Sequence, residues 1–166
     1  SHIRWENVNI SLVDERKLSN GHPQRNDTMI AKTLIRNKVG KIKLINIFDQ
    51  HYLRNLNDKS LEKHIFPIDI LLLGMGLDGH TASLIPRFIN LKDALDIKSN
   101  KAIFETYNLN KTIRRLTIGL RPLIYAEKKI LFIKGKEKLA VLNASLQDKN
   151  FNMPISYFMR EKLHIY

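Results

Sequence analysis

The feature that most constrains this chain is a short, almost unbroken apolar run, Ile68-Asp69-Ile70-Leu71-Leu72-Leu73, which ends in Gly74-Met75-Gly76. Such a run suits a central strand of a parallel sheet, buried on both faces. Other segments fall into place around it. Val8 to Val13 alternates apolar and polar residues, the period of a strand, and leads into Asp14-Glu15-Arg16. A loop through Asn20-Gly21-His22-Pro23 follows. Asn26-Asp27 is a helix start, with Met29, Ile30, Leu34 and Ile35 at helical spacing. Lys41 to Phe48 reads as a strand, and a helix is expected around Ser60 to His64. Downstream, Ala102 to Thr106, Leu116 to Leu120 and Lys129 to Ile133 read as strands. A short helix is expected over Pro122 to Ala126, and a longer one over Lys136 to Leu146 with Leu139, Leu142 and Leu146 on one face. Leu163 to Tyr166 is a last strand. Strands alternating with helices predict an α/β fold, an open and mostly parallel sheet flanked by helices.

With 166 residues, 43% of them hydrophobic, one domain with a real core is expected. No apolar run is long enough to span a membrane, so no membrane partner is expected. The absence of cysteine excludes disulfides, thiolate zinc sites and a cysteine nucleophile, and fits a reducing, cytoplasmic setting. The histidines at 2, 22, 51, 64, 80 and 164 show no H-x-x-x-H spacing, so no metal site is expected. The net charge of +12 favours anionic partners such as phosphorylated metabolites or nucleic acid. The basic residues cluster in Lys32 to Lys43, Lys111 to Arg115 and Lys128 to Lys138, without an aromatic-basic stacking pattern. A lysine-rich solvated surface is the simpler reading, and no nucleic-acid partner is expected.

Gly74-Met75-Gly76-Leu77-Asp78-Gly79 matches G-x-G-x-x-G, which invites a dinucleotide reading. Pro86 interrupts the long helix that reading needs, and the acidic residues about twenty positions on, Asp93 and Asp96, sit in a loop or short helix. Asp78 would also repel a pyrophosphate. The alternative is a catalytic turn at the carboxyl end of a strand, where open α/β sheets bind ligands. There Asp78 would cap a new helix and His80 would lie in its first turn. The positive end of the helix dipole disfavours imidazolium, and a neutral imidazole can act as general base. The bland alternative is that His80 is a structural polar residue.

The stretch from Asp69 through Gly74-Met75-Gly76-Leu77-Asp78-Gly79-His80-Thr81-Ala82-Ser83-Leu84-Ile85-Pro86 strongly resembles the signature of 6-phosphogluconolactonases. Trp5 through Asp14-Glu15-Arg16 resembles the family's W…DER strand end, Arg115-Leu116-Thr117-Ile118 its R-[VI]-T-L strand, and Gly135-Lys136-Glu137-Lys138 its G-x-x-K turn. The resemblance implies a Rossmann-like, NagB/RpiA/CoA-transferase-like fold and hydrolysis of 6-phosphoglucono-δ-lactone to 6-phosphogluconate without a cofactor. His80 would activate water, and backbone N–H groups of the Gly74 to Gly76 turn would serve the oxyanion. Asp14, ending a strand that could lie beside Ile68 to Leu73, would orient the imidazole or a substrate hydroxyl, or else be a plain turn residue. Arg16, Gly76, Arg115 and Lys138 are the substrate- and phosphate-binding candidates. Thr81 and Ser83 are read as capping or packing residues.

The resemblance is closest to lactonases, yet two alternatives stand. Glucosamine-6-phosphate isomerases/deaminases resemble the same element but carry a glutamate five residues after the histidine, where this chain has Ile85. A catalytically weak remnant that binds phosphosugars is the other. The family's S-G-G-[ST]-x-P loop has no counterpart here, so residues 1–166 are expected to be one lactonase-like domain that is incomplete, lacking an N-terminal phosphate-loop segment and an extreme C-terminus. Gln24-Arg25-Asn26 replaces the family's usual D-S-N, and Arg87 a common glycine. The family also implies a small sugar-phosphate substrate, and work beside, or fusion to, glucose-6-phosphate dehydrogenase.

Overall fold

A computed structural model describes residues 3–35, 42–49, 66–110, 113–147, 149–159 and 161–166. The helix expected around Ser60 to His64 lies outside them. The apolar run forms β4 (Ile70–Leu73). It pairs in parallel with β7 (Lys128–Leu131), which pairs in parallel with β8 (Leu163–Ile165), giving the order β4-β7-β8. The register sets Leu71 beside Lys129 and Leu73 beside Leu131. β1 (Asn9–Ser11) and β3 (Lys43–Ile45) form a second parallel pair. Four α-helices join these layers among the described residues: α1 (Asn26–Ile30), which runs on into a π-helical turn over Ala31–Ile35, α2 (Leu91–Ala94), α3 (Leu120–Ile124) and α4 (Lys136–Ala144). The class is α/β, with parallel sheets flanked by helices.

The sheet is less uniformly parallel than the alternation of elements suggested. β2 (Asp14–Arg16), β6 (Arg115–Ile118) and β5 (Ile103–Thr106) form an antiparallel sheet in the order β2-β6-β5. Asp14 is therefore the first residue of a strand paired with β6, opposite Thr117, and is not a neighbour of β4 as its place in the sequence suggested. The first apolar segment is split, because β1 stops at Ser11 and β2 begins at Asp14.

Core packing explains which residues point inward. Leu71, Leu73 and Leu131 pack with Ile47, Phe48, Leu84, Leu123, Ile155 and Phe158 in one buried cluster. Among the described residues, β4 is covered on that face alone. Ile70 and Leu72 are 65% and 62% exposed, which corrects the expectation of a strand buried on both faces. A run of leucines identifies a strand but cannot state how many of its faces have something packed on them. The same holds for α4, where Leu142 is buried while Leu139 and Leu146 are exposed. Leu73→Ala should cost about 3 kcal/mol of unfolding free energy in the 166-residue chain, and Leu72→Ala less than about 1 kcal/mol, as read by chemical denaturation.

Candidate active site

The chain leaves β4 into a loop closed by its own backbone. The Gly76 N–H donates to the His80 carbonyl at 2.9 Å, and the Gly79 N–H donates to the Gly76 carbonyl at 3.1 Å. The Thr81 hydroxyl donates to the Gly74 carbonyl at 2.9 Å. Gly79 has φ +76°, and a Cβ there would sit 3.2 Å from Met153 Cα. No helix follows. Residues 81–90 form turns, with Ala82 at φ 50° and Arg87 at φ 65°, values an α-helix does not contain. The expected helix after His80, and Asp78 as its cap, are thus both replaced by a compact turn.

Within that turn the Asp78 carboxylate serves His80 itself. Asp78 Oδ1 lies 2.5 Å from His80 Nδ1 and accepts the His80 backbone N–H at 3.2 Å. Burial alone would raise the Asp78 pKa, but the hydrogen bonds from the His80 ring and backbone N–H outweigh it and hold the carboxyl below its ordinary value. An ionised carboxylate can only accept, so Nδ1 is the nitrogen that carries the hydrogen, and in a neutral ring the lone pair is left on Nε2. The His80 side chain is 37% exposed, so water can reach it. Gly76 makes this arrangement possible: a Cβ there would collide with Nδ1 and Cε1 of His80 and lie 2.6 Å from Asp78 Oδ1. Since the Gly76 N–H is already spent on the His80 carbonyl, it is not the oxyanion donor that the sequence suggested.

The loop then docks on the antiparallel sheet. The Ser83 hydroxyl donates to Asp14 Oδ2 at 2.6 Å, and the Ser83 N–H donates to Thr117 Oγ1 at 3.3 Å. The Thr106 hydroxyl donates to the Ser83 carbonyl at 2.9 Å. Asp14 and Thr117 face each other across the ladder, as do Arg16 and Arg115 two residues along. Side chains two apart share a face, so Arg16 and Arg115 stand on the face that receives the His80 loop. Arg115 Nη1 lies 4.0 Å from Asp14 Oδ2. Burial and then the neighbouring Arg16 charge push the Arg115 pKa down, with Asp14 and Glu15 opposing. Like charges directly opposite on a ladder are unfavourable, and a bound anion would relieve them.

Gly76, Asp78 and His80 are thus brought into contact. Asp14, Arg16 and Arg115 form a second group, joined to the first through Ser83. Lys138 lies in the first turn of α4, beyond the carboxyl end of β7, next to the strand end that carries His80. It has no hydrogen bond or ion pair among the described residues. Sequence reasoning treated Ser83 as a capping or packing residue and assigned no role to Glu15 or Arg25. Glu15 is fully buried, and Arg25 holds Asp27 with Nη2–Oδ2 at 2.7 Å and lies 3.8 Å from Glu15. A charged D-E-R run in mid-strand was the available signal, since its middle residue must face the opposite way.

The sequence model for the family described as glucosamine-6-phosphate isomerases/6-phosphogluconolactonase matches residues 1–165. The 6-phosphogluconolactonase of Pseudomonas aeruginosa is 33% identical over 99% of this chain and 71% of its own length. The chain belongs to the glucosamine-6-phosphate isomerase/6-phosphogluconolactonase family. Two solved structures extend the likeness of fold. A 6-phosphogluconolactonase from Shewanella baltica superposes with a TM-score of 0.85 at 22% identity, over 99% of this chain and 73% of that one. A monomeric glucosamine-6-phosphate deaminase gives 0.73 at 18%, over 97% of this chain and 72% of that one. The family fold therefore carries both chemistries, and the site residues must discriminate between them. Among the described residues no helix is long and apolar enough to cross a membrane.

The Arg25–Asp27 pair supplies a pH signature. Burial would raise the Asp27 pKa, yet the hydrogen bond and charge of Arg25, with Asn46, hold it below the ordinary 3.8. A depressed carboxyl stabilises the fold above its unfolded value and loses that contribution as pH falls through its folded value. Asp27→Asn should therefore cost about 3–5 kcal/mol near neutrality, with the gap to wild type narrowing below pH 3.8, in denaturant titrations at a series of pH values.

Proposed function

We propose that this chain hydrolyses 6-phosphoglucono-δ-lactone to 6-phosphogluconate, with His80 as the general base. The observation that carries the reading is the Asp78–His80 pair, seated against Gly76 at the carboxyl end of a parallel strand. His80 Nε2 removes a proton from water as the water oxygen bonds to the lactone carbonyl carbon. Asp78 stabilises the imidazolium that forms, as a carboxylate on Nδ1 does. Collapse of the tetrahedral intermediate breaks the bond from that carbon to the ring oxygen, which takes the proton back from His80. The products are a free hydroxyl and a carboxylic acid that ionises in water.

The substrate phosphate is assigned to Arg16 and Arg115, with Lys138 approaching from the neighbouring strand end. Two guanidiniums facing each other across the ladder, with the Asp14 carboxylate already taken up by Ser83 and 4.0 Å from Arg115, suit a dianion. Asp14, engaged by Ser83 and near Arg115, is read as a positioning group and no longer as the partner of the imidazole. The aldose–ketose and deamination chemistry of the family's other branch needs an acid/base group five residues after the histidine, as the resemblance implies. This chain has Ile85 there. A cytoplasmic setting, and work beside or in fusion with glucose-6-phosphate dehydrogenase, belong to the same proposal.

In the full-length protein, His80→Ala should lower kcat/KM by about 10²- to 10⁴-fold, measured as 6-phosphogluconate formed above the spontaneous opening in buffer. Retention of the wild-type rate would remove His80 from the chemistry, and ammonia released from glucosamine-6-phosphate would identify the other branch. Gly76→Ala should lower kcat by about 100-fold, because the added methyl must displace the imidazole from its working position.

A further inference from the structure

Arg16 is held in place before any anion arrives. Its Nη1 donates to the Gln24 carbonyl at 2.7 Å and to Asn26 Oδ1 at 3.3 Å. Nε and Nη2 have no partner among the described residues, so one edge of the guanidinium is left free for a bidentate ligand. Asn26 is itself fixed on two sides. Its backbone N–H donates to Glu15 Oε1 at 2.8 Å, and its side-chain amide donates to the Asp14 carbonyl at 3.1 Å. Glu15 completes the clamp by accepting the Arg16 N–H at 2.7 Å and the Asp27 N–H at 2.9 Å. Both groups that hold the Arg16 head are neutral. The nearby carboxylates are engaged elsewhere: Asp27 pairs with Arg25 at 2.7 Å, and Glu15 accepts three backbone N–H groups with Arg25 3.8 Å away. Arg16 is thereby oriented without being neutralised.

We propose that Asn26 is a positioning residue that fixes the Arg16 guanidinium for the phosphate of the substrate, and so sets the preference for phosphorylated over unphosphorylated lactones. The inference rests on the assignment of the phosphate to Arg16. An amide is the side chain that serves both needs: its oxygen accepts from Nη1 without adding negative charge, and its nitrogen ties it to β2. Loss of the amide returns Arg16 to many rotamers, and binding must then order it again. An aspartate would still accept from Nη1, but would cancel the charge that attracts the dianion and would face the Asp14 carbonyl without a donor.

The test is the ratio of kcat/KM for 6-phosphoglucono-δ-lactone to that for glucono-δ-lactone, in the full-length protein. Asn26→Ala should lower this ratio about fivefold, as a rise in KM for the phosphorylated lactone. Asn26→Asp should lower it further, although an acidic residue in the first turn of α1 should leave its melting temperature at or above that of Asn26→Ala. Arg16→Ala is the control and should collapse the ratio. If Arg16→Ala collapses it while Asn26→Ala and Asn26→Asp lower both lactones equally, Asn26 is merely structural and the inference is overturned. If Arg16→Ala itself spares the ratio, the phosphate lies elsewhere, and both the assignment and the inference built on it fall.

Discussion

The ring of His80 fills the space that a side chain at position 76 would take, and the rest of the site follows from that contact. A glycine at 76 lets the loop fold back on itself, so that its N–H meets the His80 carbonyl while the imidazole packs over its α-carbon. The same fold brings Asp78, two residues before the histidine, onto Nδ1. Three positions of one short loop therefore fix the place of the ring and which of its nitrogens meets a carboxylate. The rigid strand behind them, with Leu71 and Leu73 in the core, supplies the platform. Preorganisation of this kind is what the general base proposed here would need, because small displacements cost much of such a group's rate.

Charge is sorted around this loop with similar economy. The chain carries a net +12, yet its arginines do different work. Arg25 is buried and occupied by Asp27 and Glu15, whereas Arg16 and Arg115 face each other on the sheet that receives the His80 loop. Ser83 and Asp14 connect the two halves, so the group proposed to activate water and the groups proposed to hold the phosphate share one framework. That framework is antiparallel, and it is built from strands distant in sequence, at residues 14–16, 103–106 and 115–118.

Elements with strong local patterns were legible in the sequence: β5, β7, α4 and β8 lie within a residue or two of where periodicity set them. The helix start at Asn26 was equally plain. What the sequence did not show depends on partners far along the chain. The exposed face of β4 reflects what does not pack on it, and the pairing of β2 with β6 reflects a contact across a hundred residues. The missing helix after His80 has a local cause that composition hides. Ala82 and Arg87 adopt positive φ, which neither residue type advertises. In the site, His80 and Gly76 were visible from the loop motif, but the identity of the carboxylate beside the ring was not. The sequence reading made Asp78 a cap and Asp14 a group that orients the imidazole or a substrate hydroxyl; in the turn it is Asp78 that meets the ring, while Asp14 accepts the Ser83 hydroxyl.

The central claim is that His80 is held by Asp78 as the Nδ1–H tautomer, with Nε2 free to take a proton from water. Nitrogen-15 NMR of the imidazole in the full-length protein tests it directly at a pH where the ring is neutral. The account predicts a protonated Nδ1 and an unprotonated Nε2, and loss of that preference in Asp78→Ala. A neutral ring with its proton on Nε2, indifferent to position 78, would contradict it.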